Sequence, residues 1–179
     1  MTRDNSRMLE NDVMPKVLVL FDSGDQRAER LAELAAEGAK KVRFTEVDIR
    51  TVGSEAAPDD ARRKRLESGD VASQYDGVVI VGADREPSAA IDALLDGRSG
   101  EAKGEFVDRV FAAVSETDTS QRLVGLGGIV VGASAGLPDL ETTARKTGER
   151  VAKVAEWVRH ALSHEHGHSH HGHGSHHAH

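Results

Sequence analysis

The chain contains no cysteine, which excludes disulfide staples, thiolate zinc sites, iron–sulfur clusters and cysteine nucleophiles by inventory. Any redox chemistry must therefore be borrowed from a cofactor. Aromatic residues are scarce: four Phe, one Tyr and one Trp among 179 residues. Phe21, Phe44, Tyr75, Phe106, Phe111 and Trp157 all fall in or beside expected core elements, leaving no loop aromatic to stack on a ligand. No apolar run approaches the roughly 20 residues that cross a bilayer. Residues 1–14 lack the apolar stretch and small-residue cleavage site of a secretory signal, so a cytoplasmic location is expected. Nor is there a surplus of positive charge. The net charge is −7, and the Arg62–Arg65 cluster is diluted by Asp59, Asp60 and Glu67, as on a solvated helix face. That balance excludes a duplex nucleic-acid partner.

What is present fits one ordinary core: 38% apolar and 30% charged residues, in a length that makes a single domain. Lys16–Phe21 is a short apolar run rich in β-formers between Pro15 and the turn Asp22-Ser-Gly-Asp25, as expected of a buried parallel strand. An amphipathic helix is predicted over 27–41, with Leu31, Leu34, Ala35 and Ala39 at helical spacing. A second, less buried strand is predicted over 42–49. Residues 51–74 read as an insertion with one exposed helix at its charged centre. Tyr75–Val81 is the clearest buried strand, with a helix over 87–95 behind it. Arg109–Val114 and Gly128–Gly132 are the fourth and fifth strands, separated by a short helix over 121–126. A long amphipathic helix runs over 140–162, carrying Ala144, Val151, Val154, Ala155, Val158 and Leu162 on one stripe. The alternation predicts a doubly wound, five-stranded parallel α/β sheet with helices on both faces. In such a sheet ligands bind beyond the carboxyl ends of the strands at the switch point. That points to the loops 22–26, 82–88 and 115–120.

Four segments resemble a known family. They are Lys16-Val-Leu-Val-Leu-Phe-Asp-Ser23, Leu31-Ala-Glu-Leu-Ala-Ala-Glu-Gly-Ala-Lys-Lys-Val42, Tyr75-Asp-Gly-Val-Val-Ile-Val-Gly82 and, most specific of all, Ala144-Arg-Lys-Thr-Gly-Glu-Arg-Val-Ala152. Together they resemble the flavodoxin-like NAD(P)H:quinone oxidoreductases of the WrbA type over residues 16–162. The resemblance implies a flavodoxin-like fold, an FMN cofactor, NAD(P)H as co-substrate, a quinone or similar acceptor, and assembly into a homo-oligomer. It implies cofactor contacts at Ser23, Gly24, Arg27, Gly82, Arg85 and Ser115; no catalytic residue is singled out. The loops depart from the family pattern Ser-x-x-Gly-x-x-x-Thr: Ser23 matches, but Gln26 stands for the Gly and Arg30 for the Thr. Gly82-Ala-Asp-Arg-Glu-Pro-Ser88 keeps Gly82 and Arg85 without an aromatic, and Ser115–Ser120 is not Gly-rich. A response-regulator receiver is a second reading, with Asp22, Asp25 and Asp84 as acidic residues and Ser115 at the hydroxyl position. Against it, the fifth strand ends Val131-Gly-Ala-Ser134 without that family's lysine.

Both ends fall outside the expected domain of residues 15–162. Residues 1–14 lack periodicity and are expected to be a disordered extension. All ten histidines lie from His160 onward, and His164, His166, His168, His170, His171, His173, His176, His177 and His179 are interleaved with Gly, Ser, Ala and Glu165. A segment of that composition, 163–179, cannot offset its ordering entropy by apolar burial. Dense imidazoles on a flexible chain suit Ni²⁺, Zn²⁺, Cu²⁺ and Co²⁺. A module that has lost flavin and binds or buffers such metals through this tail is the alternative function.

Overall fold

A computed structural model of the chain describes residues 14–22, 24–52, 64–65, 74–83, 87–96, 106–134 and 138–165. The elements run β1 (Lys16–Asp22), α1 (Gln26–Ala39), β2 (Glu46–Val52), β3 (Lys64–Arg65), β4 (Gly77–Val81), α2 (Ser88–Asp96), β5 (Val110–Val114), α3 (Ser120–Gly125), β6 (Ile129–Ser134) and α4 (Leu140–Glu165). The strands pair in the order β3-β2-β1-β4-β5-β6, and every ladder is parallel. Five of them are the expected strands; the sixth is the two-residue β3 beside Arg50 and Thr51 of β2.

Burial follows position in the sheet. The central strands β4 and β5 are buried throughout, and β1 is buried from Val17 to Phe21. That is why they read as unbroken apolar runs. Alternation along each strand divides the core into two layers. Val17, Val19, Phe21, Val79 and Val81 pack under α1 and α4, whereas Leu18, Leu20, Val78, Ile80 and Phe111 pack against α2 and α3.

On the first layer the helices α1 and α4 meet at two glycines. A methyl group on Gly38 would come within 1.9 Å of the Arg145 carbonyl oxygen, and one on Gly148 within 1.9 Å of the Ala35 carbonyl oxygen. The two backbones are therefore in direct contact. This accounts for the small-residue runs Ala32, Ala35, Ala36, Ala39 and Ala144, Ala152, Ala155, all buried there.

Several expectations need correcting. The second strand spans Glu46–Val52 rather than 42–49, because β1 fixes its register through the pairs Lys16↔Glu46 to Asp22↔Val52. Val42 instead closes the end of α1, its amide bonding to Ala39 O at 3.1 Å. Phe44 sits in the following turn at φ 60° and is 67% exposed, as is Trp157 on the outer side of α4. Not every aromatic is a core residue. Thr51 and Val52 belong to β2 rather than to the insertion, and Lys64 and Arg65 lie in a strand rather than on a helix face; the helix expected between them falls outside the described residues. Helix α4 continues to Glu165, so the domain boundary expected at 162 lies within a helix. Met14 is part of the described fold, its carbonyl accepting from Arg159 Nη1 at 3.5 Å. Residues 1–13 and 166–179 lie outside the described residues.

Candidate ligand-binding crevice

The chain leaves β1 through α1 to β2 on one side, then returns across β1 to β4 on the other. The switch point therefore lies between the carboxyl ends of β1 and β4, where diverging loops open a crevice. Three loops meet there.

The first follows β1. Gly24 has φ +86° with nothing within 4 Å of a β-carbon placed on it, so the turn is open to solvent and adopts a geometry that L side chains disfavour. Asp25 then caps α1: its Oδ1 accepts from the amides of Arg27 at 3.0 Å and Ala28 at 2.9 Å. These are among the unpaired donors of the first helical turn. Asp22, at the end of β1, does the same for the helix across the sheet, its Oδ1 accepting from Ala90 N of α2 at 2.9 Å. The two aspartates thus cap helices on opposite faces of the sheet.

The second loop follows β4. Gly82 N bonds to Val114 O at 2.9 Å, and the small buried Ala83 leads to α2. The third follows β5. Glu116 N bonds to Ala83 O at 3.2 Å, fastening this loop to the second. Ser115 is fully buried, with its Oγ 2.9 Å from Thr117 Oγ1 and accepting from Thr117 N at 3.2 Å. Asp118 accepts from the amide and hydroxyl of Ser120 at 2.9 and 2.5 Å, and the Ser120 hydroxyl holds the Asp118 carboxyl below the ordinary carboxylate range. Thr119 is 1% exposed, and its hydroxyl has no hydrogen-bond partner among the described residues.

An ion pair spans the mouth of the crevice, from Arg27 Nη2 on α1 to Glu116 Oε1 at 2.9 Å. Of the expected contacts, Gly24, Gly82 and Ser115 stand at this edge of the sheet. Arg27 is also there, but its guanidinium meets Glu116 in this ion pair. Ser23 and Arg85 lie outside the described residues, as does Asp84. Sequence reasoning missed the Asp22–Ala90 contact and the Arg27–Glu116 pair, whose partners lie far apart along the chain; the Asp25 cap has a local signal, an aspartate immediately before an amphipathic run.

No family model matches the chain, and no characterised protein matches it by sequence. Solved structures do match by shape. One, a short-chain flavodoxin associated with a bacterial microcompartment, shares 12% identity at a TM-score of 0.54, over 79% of this chain and 99% of that one. The fold is flavodoxin-like. A diflavin flavoprotein A3 from Nostoc sp. matches at 17% identity and TM-score 0.53, over 84% of this chain and 98% of that one. The flavodoxin of Megasphaera elsdenii matches at 16% identity and TM-score 0.50, over 76% and 98%. In this flavodoxin-like fold the described part of the first loop offers few free donors to the phosphate end of FMN. The amides of Arg27 and Ala28 already bond to Asp25, and among the described residues around the turn Asp22, Asp25 and Glu116 outnumber Arg27. None of the three loops carries an aromatic side chain.

The other end of the sheet is tied differently. Asp76 accepts from Lys16 N at 2.8 Å, Arg109 Nη1 at 3.2 Å and Arg159 Nη1 at 2.6 Å. This joins β1, β4, β5 and the last turns of α4. The chain therefore enters its histidine-rich end at the amino edge of the sheet, opposite the crevice. Among the described residues no group of three or more His, Cys, Asp or Glu could hold a metal ion, and no helix is long and apolar enough to cross a membrane.

Proposed function

We propose that the chain is a flavin-binding redox protein whose isoalloxazine-type ligand sits across the loops 22–26, 82–88 and 115–120. In its fuller form this reading makes it an FMN-dependent carrier of electrons from NAD(P)H to a quinone or similar acceptor, assembled from identical chains. The observation that supports it is the meeting of three loops at the β1/β4 switch point of a flavodoxin-like sheet, with the open Gly24 turn, Gly82 and Ser115 at its edge. Ser23 and Arg85 are assigned to the same site from the sequence. A flavin supplies hydride and single-electron chemistry when bound; the protein's part is to hold it and exclude water. The test is titration of free flavin with the purified chain, followed by anaerobic addition of NADH or NADPH and a quinone. Quenching of flavin fluorescence at tens of micromolar protein or below is expected. No quenching at that concentration overturns the reading.

A second reading is favoured by the carboxylates around the first loop: a module without flavin that binds divalent transition metals through His164, His166, His168, His170, His171, His173, His176, His177 and His179. The same titration separates the two.

A further inference from the structure

We propose that Asp25 and Asp22 are built-in anions that deprive a terminal phosphate of its seat, so that the crevice takes flavin through its ring and ribityl chain and binds riboflavin at least as tightly as FMN. This rests on the flavin reading above and narrows its ligand class.

The helix N-termini nearest the switch point are the natural anion sites of such a fold, because their unpaired amides and dipoles favour negative charge. Here both are served from within the chain. Asp25 holds the amides of Arg27 and Ala28 at 3.0 and 2.9 Å, and Asp22 holds that of Ala90 at 2.9 Å. Among the described residues at this turn, the cation Arg27 meets Glu116 at 2.9 Å. An incoming phosphate would have to displace the Asp25 carboxylate from its two bonds, approach Asp22 and Asp25 against like charge, and compete with Glu116 for Arg27. A ligand with an uncharged terminal hydroxyl meets none of these costs. Gly24 leaves the space for it, since the turn has nothing within 4 Å of a β-carbon position.

The experiment compares FMN and riboflavin on the full chain and on Asp25→Ser and Asp25→Asn. Serine remains a good N-cap, so α1 stays anchored while the charge leaves; circular dichroism and thermal melting check that each variant is folded. Riboflavin should bind the unaltered chain as tightly as FMN or tighter. Asp25→Ser should tighten FMN by about tenfold or more, the scale of a charge-assisted hydrogen bond gained, with riboflavin within about twofold. Asp25→Asn, which likewise removes the charge and keeps a capping acceptor, should tighten FMN in the same direction. Inorganic phosphate should compete with FMN in Asp25→Ser and not in the unaltered chain. FMN preferred to riboflavin by tenfold or more in the unaltered chain, or FMN affinity unchanged in a folded Asp25→Ser, overturns this inference while leaving the flavin reading in place. Binding of neither flavin to any of the three proteins overturns both.

Discussion

Replacing Gly148 with Ala sets two opposed effects against each other, and the structure decides the sign. In an exposed helix the change would stabilise by about 1 kcal/mol, because alanine loses less backbone entropy than glycine. In α4 the added methyl would stand 1.9 Å from the Ala35 carbonyl oxygen, whereas a carbon–oxygen contact settles at roughly 3.3 Å. The helices α1 and α4 would have to part by roughly 1.4 Å at their crossing. A gap of that size forfeits much of the dispersion energy between the facing alanines and valines, and overpacking of this kind typically costs about 1–3 kcal/mol or more. We expect the loss to win by about 1–3 kcal/mol net, read as a lowered urea midpoint and a melting temperature down by roughly 3–10 °C. Gly38→Ala should behave alike, through its 1.9 Å approach to Arg145 O. The double variant should lose less than the sum, since helices already parted accommodate the second methyl. A melting temperature at or above that of the unaltered chain for Gly148→Ala would refute the backbone contact.

Three further outcomes are expected. Asp76→Ala should destabilise by about 2–3 kcal/mol in chemical denaturation, since it strips Lys16 N, Arg109 and Arg159 of a shared acceptor that is 13% exposed; Asp76→Asn should lose less, and equal losses would contradict a charge-based role. Burial and the 2.5 Å bond to Asp48 push the phenol of Tyr75 up to about 12 from 10.0. The folded state thus keeps its proton where the unfolded chain loses it, and the stability this contributes is whole below pH 10 and lost as pH rises toward about 12. Tyr75 is the chain's one tyrosine, so tyrosinate absorbance titrates it alone; a midpoint near 10 in the folded protein would refute the assignment. Truncation after Glu165 should abolish high-capacity Ni²⁺ or Zn²⁺ binding, itself weakening below about pH 6.5 as imidazoles protonate. Flavin affinity and melting temperature should stay unchanged, because α4 ends at the opposite edge of the sheet from the crevice; metal stoichiometry that survives truncation would place the ligands elsewhere.

The sequence by itself determined the layers of this protein. Val17–Phe21, Gly77–Val81 and Val110–Val114 are buried on both faces, so their apolar runs needed no partner to be recognised as central strands. The spacing of Leu31, Leu34 and Ala35, and of Ala144, Val151 and Ala155, fixed the faces that α1 and α4 bury. Beyond these runs, local signals failed. Val42 and Phe44 look like strand residues, but the pairing of Lys16 with Glu46 places β2 later, and Phe44 is left in an exposed turn. The α1–α4 crossing was present in the sequence only as two glycines, which local reasoning takes for weak points in helices. Their value appears when Ala35 O and Arg145 O arrive from the other helix. The crevice divides in the same way. Its place at the switch point follows from strand order, and Asp25 as a cap follows from its position before α1. That Asp22 reaches Ala90 and Arg27 reaches Glu116 was settled by the tertiary structure alone, because each contact joins loops that only the assembled sheet brings together.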